Sequence, residues 1–433
     1  MKRFALVPIS IALVACGGPT RSPAEPPPHG DARIADPTPV QHTDTDLAFQ
    51  GIHMEPPEFI EDDYAGALAK AKAAHVPLFV DSWATWCHSC LSMKQFVFTS
   101  PIVGQEAPKF VWLSIDTENT KNAAFLAKFP NNAIPTLRVI DPSTENATWT
   151  WEGTMTAAEL AAALEHVRGA VPPDASSALA DRDAEVMRLY DEKKFDACAS
   201  EAAANVAKLE GTKRVDIAVM GTTCALELPR DAQQKVLPTL VKELEAIVND
   251  PKVVVLADDR SSAYEALVDA GEAAGEKAAV HENAAAWAKF LEGEAAKAKT
   301  PAERAVFDPH RLLAYLAMGQ PARAIPMLEQ SQKDFPGDFN PPARLARAYT
   351  ELGKYDEAVA ASDRALALAQ GPRRVRIELG KADAQEKKGD KAGEKKTLDE
   401  TLAFIETLPA AQRSSKLRAA VLDRLQKLGA KKP

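Results

Sequence analysis

Apolar residues follow two different rhythms along this chain. Up to about residue 171, short apolar runs alternate with helix-like segments. The stretches 77–83 and 110–115 are dense in large apolar residues and predict buried strands. Two more strand-like runs lie around 135–140 and 148–152. Ahead of them, Tyr64, Ala67, Leu68 and Ala71 share one helical face, which predicts a helix over 59–75. Further helices are expected over 91–96, 122–129 and 156–169, with a bend at Pro101. Strands alternating with helices, then an antiparallel pair, predict an α/β sandwich over residues 47–171. From Asp174 onward nothing reads as a strand, and apolar positions recur at three and four. Pro172-Pro173 marks the boundary, so 172–433 is expected to be all-helical.

The helical half repeats. Ala314-Tyr315 recurs as Ala348-Tyr349, Gly319 as Gly353 and Ala324 as Ala358, each 34 residues on. Gly389 gives a looser third copy, and 194–197 echoes 354–357. The period is lost between about 230 and 300. The segment 345–358, LARAYTELGKYDEA, resembles a tetratricopeptide helix–turn–helix. That resemblance implies a solenoid of roughly a dozen helices that binds a protein or peptide and does no chemistry itself.

The first residues read as an export signal. Lys2 and Arg3 precede an apolar run from Phe4 to Ala15, too short to span a bilayer. The run ends in Leu13-Val14-Ala15-Cys16, which resembles the bacterial lipobox. This implies a signal peptide over 1–15, lipid on Cys16, and anchorage in a bacterial cell envelope facing the periplasm. Gly17, where some bacteria use aspartate to retain lipoproteins at the inner membrane, favours the outer membrane. Residues 16–46 are Pro-rich and poor in apolar clusters, so they read as a tether that could reach ~90 Å when extended. No later segment has 18 consecutive apolar residues.

Charge narrows the partners. The 433 residues carry 52 Lys+Arg and 61 Asp+Glu, a net charge of −9, with no basic block, so nucleic acid is not expected. Export makes disulfides permissible. Of the five cysteines, Cys16 is assigned to lipid and Cys87 and Cys90 to a C-x-x-C pair. Cys198 and Cys224 form an even remainder: either a structural disulfide or two small buried thiols. Their midpoint, Gly211, resembles the turn between two helices.

The chemistry is concentrated in Trp83-Ala84-Thr85-Trp86-Cys87-His88-Ser89-Cys90. A helix starting at Cys87 would favour its thiolate, the form that attacks a disulfide. Cys90, one turn on, is placed to resolve the mixed disulfide. With Asp81, the Trp83/Trp86 pair, Ile134-Pro135-Thr136 and Gly153, the pattern resembles the thioredoxin-like family. The segment 93–103 is similar to a branch that includes the C-terminal domain of the bacterial thiol:disulfide interchange protein DsbD.

The resemblance implies a thiol:disulfide oxidoreductase acting on protein thiols and disulfides, supplied by a membrane or periplasmic electron donor. It makes Asp81 a buried base for Cys90 and Pro135 a cis proline beside the cysteines. Where thioredoxin has a lysine facing that aspartate, this chain has Trp112, so Asp81 is expected to be more isolated. His88 follows Cys87, whereas oxidising members carry histidine at the position of Ser89, and Ile134 matches the reducing members; both favour reduction or isomerisation. One C-x-x-C supplies two of the four ligands a tetrahedral zinc needs, and no close Cys/His pair follows, so no metal or other cofactor is expected. The competing reading is a scaffold lipoprotein whose repeats bind a partner and whose redox site serves one client.

Overall fold

The computed structural model describes residues 55–169 and 185–429. Cys16, the tether and the 172–173 boundary lie outside the described residues. Among those described, no helix is long and apolar enough to cross a membrane.

The first half is built on five strands: β1 (Phe59–Glu61), β2 (Leu78–Trp83), β3 (Val111–Asp116), β4 (Thr136–Ile140) and β5 (Ala147–Glu152). Their order is β1-β3-β2-β4-β5. β3 runs parallel to β1 and β2, while β4 runs antiparallel to β2 and β5. Helices α1 (Tyr64–Ala74), α2 (His88–Ser92), α3 (Pro101–Gly104), α4 (Ala123–Lys128) and α5 (Ala157–Val167) connect and flank the strands. Covering both faces explains why β2, β3 and β4 read as continuous apolar runs. Phe79, Trp112, Leu137 and Leu160 fill one side, and Val80, Leu113, Phe125 and Ile140 the other.

The helix expected over 59–75 is two elements. Phe59 and Ile60 pair with Trp112 and Leu113 as an edge strand. Asp62 then takes a left-handed conformation (φ 54°), and its carboxylate accepts from the Asp116 amide at 2.7 Å. Asp63 caps the helix by accepting from the Gly66 amide. Tyr64, Ala67, Leu68 and Ala71 do share the inner face of α1, the last three buried and Tyr64 packed against their cluster. The helix after the cysteines also departs from the regular pattern, because α2 continues as a π-turn over Met93–Val97.

The second half is helical: α6 (185–191), α7 (Phe195–Asn205), α8 (Gly211–Leu226), α9 (Arg230–Asn249), α10 (Ala257–Ala274) and α11 (Lys277–Lys297). There follow α12 (Pro301–Ala305), α13 (Asp308–Ala317), α14 (Ala324–Asp334), α15 (Asn340–Glu351), α16 (Tyr355–Leu368), α17 (Arg373–Lys388), α18 (Lys391–Thr407) and α19 (Ser415–Gly429).

The 34-residue repeat has a local cause. Gly319 and Gly353 both adopt positive φ, 67° and 71°, at the end of the first helix of a pair. The next amide closes back on that helix, Gln320 to the Tyr315 carbonyl at 2.8 Å and Lys354 to Tyr349 at 2.9 Å. Gly389 repeats this closure through Asp390 and Gln385 at 2.9 Å. A side chain at Gly353 would meet nothing within 4 Å, so the glycine serves the backbone angle, not packing. Ala346 and Ala358, both buried, let α15 and α16 approach closely.

Cys198 in α7 and Cys224 in α8 are joined by a disulfide, with Cα atoms 6.1 Å apart. The pair sits within the buried core of the first helical hairpin. Closing a loop of 26 residues restricts the unfolded chain and stabilises by about 3 kcal/mol on the loop-entropy account.

The two halves share a core. Leu256, just before α10, packs among Phe79, Met93 and Leu160 of the sheet layer. Leu91 and Phe96 pack against the core around Trp287 and Phe307, with the Phe96 and Phe307 rings stacked at 6.0 Å. Asp259 accepts from the Thr154 hydroxyl at 2.6 Å, and Thr212 donates to Glu159 at 2.8 Å.

Candidate functional site

β2 ends at Trp83, and the chain turns to place Cys87 at the start of α2. Cys87 and Cys90 are joined by a disulfide with Cα atoms 5.2 Å apart. Cys87 is the N-cap of α2, and the Cys90 amide donates to its sulfur at 3.1 Å. That bond, and the helix start, stabilise negative charge on Cys87 once the disulfide opens. Ser89 Oγ lies 3.4 Å from the same sulfur.

Ile134 and Pro135 lead into β4, the strand paired with β2. The Ile134–Pro135 bond is cis. It brings the Ile134 carbonyl to 3.7 Å from Cys87 Sγ. Pro135 accepts the Gly153 amide at 2.9 Å, and Gly153 has φ 104°.

Asp81 is fully buried in β2, opposite Ser114 of β3, and its carboxyl has no hydrogen-bond partner among the described residues. Burial pushes this carboxyl up to about 7, opposed by Lys94 and reinforced by Glu61. The expected isolation of Asp81 is therefore corrected. Trp112 does occupy the lysine position, buried and donating to the Ala107 carbonyl at 3.0 Å. A cation arrives instead from Lys94, whose Nζ donates to Ser114 Oγ at 2.9 Å and lies 3.4 Å from the centre of the Trp83 ring. Lys94 sits in the π-turn after α2, so reading only the strands missed it.

The helical half closes over this site. The N-terminal ends of α10, α13, α15 and α17 all face the redox turn. From α15, Asn340 donates to the Thr85 carbonyl at 3.0 Å. From α17, the Arg373 amide donates to Glu118 at 2.5 Å, and its guanidinium lies 4.6 Å from the Trp86 ring. Trp86 donates to the other Glu118 oxygen at 2.9 Å. Burial raises Glu118, against the bonds from Trp86 and Arg373. Gln412 donates to the Thr117 carbonyl at 2.8 Å. A cleft of about 490 Å³ remains, with Cys87, His88 and Ile134 on one side and Pro372 and Gln412 on the other.

His88 points to α10 and α13. Its Nδ1 lies 2.9 Å from Asp258 Oδ2 and 3.1 Å from His310 Nε2. Burial alone would raise Asp258 and lower His310. The two imidazoles hold Asp258 below the ordinary carboxylate range, and Asp258 with Glu265 brings His310 up to about 9. Asp258 and His310 stand 170 and 222 residues from His88 and carry no local motif. The one hint available was that histidine is scarce, 8 in the whole chain.

Residues 59–142 match the family model of thioredoxin-like proteins, and residues 315–377 match that of the tetratricopeptide repeat. Thioredoxin C-3 of Corynebacterium nephridii is 31% identical over 94 residues, covering 22% of this chain. Those residues span 59% of that thioredoxin. The chain thus joins a thioredoxin-like domain to tetratricopeptide repeats.

Asp81 sets two expectations. Its carboxyl titrates at about 3.8 when unfolded and about 7 when folded. Its contribution to stability is full below about pH 3.8 and is lost as pH rises through about 7. Asp81→Asn therefore stabilises the fold at pH 8, with the gain fading toward pH 4, in urea unfolding at both values. The same variant slows disulfide turnover by about tenfold or more if Asp81 is the base.

Proposed function

We propose that this joined chain is a thiol:disulfide oxidoreductase working through Cys87 and Cys90. The observation that carries the reading is the Cys87–Cys90 disulfide at a helix start, on the cleft and 3.7 Å from the Ile134 carbonyl. In the reducing direction, the Cys87 thiolate attacks one sulfur of a client disulfide. The other client sulfur leaves as a thiolate, and a mixed disulfide forms. Cys90, losing its proton to Asp81 through water, attacks Cys87 Sγ. The second client sulfur leaves, the client gains two electrons, and the Cys87–Cys90 disulfide is restored. A dithiol donor then reduces it again. An extended client segment can lie along the Ile134–Pro135 backbone, between Trp86 and the walls from Pro372 and Gln412.

The direction we assign is reduction or isomerisation, supported by Ser89 before Cys90 and by Ile134 before Pro135. The location we assign is a bacterial envelope, with lipid on Cys16 and the domains facing the periplasm, on the strength of the lipobox-like Leu13-Val14-Ala15-Cys16. Gly17 favours the outer membrane. The cleft's far wall favours a narrow client range over a broad one. This keeps a second reading in view: a scaffold whose repeats bind a partner and whose redox site serves a single dedicated client.

Cys90→Ser leaves the mixed disulfide unresolved and is expected to trap clients as covalent adducts, separable on non-reducing gels. Cys87→Ser forms none. Adducts that persist in the Cys87→Ser variant would overturn the assignment of the nucleophile. One dominant adduct supports the dedicated-client reading, and many support a general enzyme.

Cys16→Ala is expected to move the protein from the membrane fraction to the soluble fraction. Unchanged membrane association in that variant contradicts the anchor.

A further inference from the structure

The unassigned cluster with the most chemistry lies where α10 and α13 meet the redox turn. His88 Nδ1, His310 Nε2 and the Asp258 carboxylate form a triangle. Taken on one carboxylate oxygen, its sides are 3.1 Å between the nitrogens, 3.0 Å from His88 to Oδ1 and 3.3 Å from His310 to Oδ1. Ligands around a tetrahedral zinc, bound at about 2.0–2.1 Å, stand about 3.3–3.4 Å apart. The triangle is one face of that tetrahedron, slightly contracted. We propose that His88, His310 and Asp258 bind one divalent transition-metal ion of the zinc class across the boundary between the two halves.

Three features favour a cation over a hydrogen-bonded trio alone. First, His310 and Asp258 are buried, with 0% and 1% of their side chains exposed, so the cluster is built into the fold. His88 is partly exposed and gives an ion its way in from the cleft. Second, the other ring nitrogen of His310 has a carboxylate beside it, Glu265 at 3.5 Å. At that distance Glu265 makes a charge contact with Nδ1 and no hydrogen bond, and it favours a proton on Nδ1, which leaves the Nε2 lone pair for the centre. Third, two carboxylates flank the imidazoles, Asp258 at 3.3 Å and Glu265 at 3.5 Å from His310, so a cation entering the cluster meets opposite charge on both sides. Two imidazoles and one carboxylate suit zinc, copper, nickel or iron, and not magnesium or calcium.

The site reaches beyond the exchange chemistry and does not depend on it. It uses no thiolate, because all four described cysteines are in disulfides. A bound ion would tie the middle of the C-x-x-C turn to the helical half.

The test uses the full chain, oxidised, with any free thiol alkylated and metal stripped by a chelator. It is titrated with zinc chloride by calorimetry. One equivalent is expected to bind, and thermal unfolding shifts upward in step with zinc concentration. His88→Ala, at a partly exposed position, weakens binding by about tenfold or more, as does the near-isosteric Asp258→Asn. His281→Ala keeps the affinity of the parent, and magnesium chloride gives no saturable binding. No saturable zinc binding overturns the proposal. So does one-equivalent binding whose affinity is unchanged in both His88→Ala and Asp258→Asn.

Discussion

The packing of the redox turn against the N-terminal ends of the repeat helices is the contact on which the rest of the structure depends. A C-x-x-C turn needs a reachable sulfur and a dry surrounding. The sheet layer supplies the turn, the Ile134 carbonyl and the buried Asp81. The helical layer supplies Asp258, His310, Asn340, Arg373 and Gln412 on the opposite side. Asp258 and His310 both reach His88, while Asn340, Arg373 and Gln412 reach Thr85, Glu118 and Thr117. Leu256 inside the sheet layer's core, and Phe96 against Phe307, fix the two layers as one body. The repeats thus hold a surface of their own chain at the helix ends, where a separate interaction module would leave it open.

Two buried charges show how the site is balanced. Asp81 sits in an apolar layer without a hydrogen bond among the described residues, which would be costly if it were ionised. Lys94 tempers that cost from the next turn of the chain, and the carboxyl is left poised near neutrality. Asp258 is equally buried but has two imidazoles beside it, and it stays ionised. Two aspartates, on either side of the same turn, are pushed in opposite directions by their partners. This arrangement is common where groups are tuned for chemistry.

Much of the fold was legible locally. The strand runs, the C-x-x-C turn, Ile134-Pro135-Thr136 and the glycine-marked repeat each carry their information within a few residues. Phe59–Glu61 reads as helix because the face set by Tyr64, Ala67, Leu68 and Ala71 extends backward across Asp62 without a break in the sequence. Its strand character comes from pairing with Trp112 and Leu113, which lies outside any local window. Lys94 was hidden for a similar reason: β3 carries Trp112 and no cation at the position facing Asp81, and the cation that acts on Asp81 comes from the turn after α2. Asp258 and His310 were beyond reach altogether, because neither belongs to a motif and only packing of α10 and α13 brings them to His88.

On the proposed function, Cys87–Cys90 is a working redox couple and not a structural bond. Its reduction potential, measured by equilibrating the full chain with glutathione buffers and quantifying the two thiols by mass, tests this most directly. A reversible two-electron couple near −270 mV, where thioredoxin lies, is the result the account predicts. A value near −120 mV, like a strong oxidant, would contradict the direction. A bond that resists reduction below about −300 mV until the protein unfolds would contradict the claim itself.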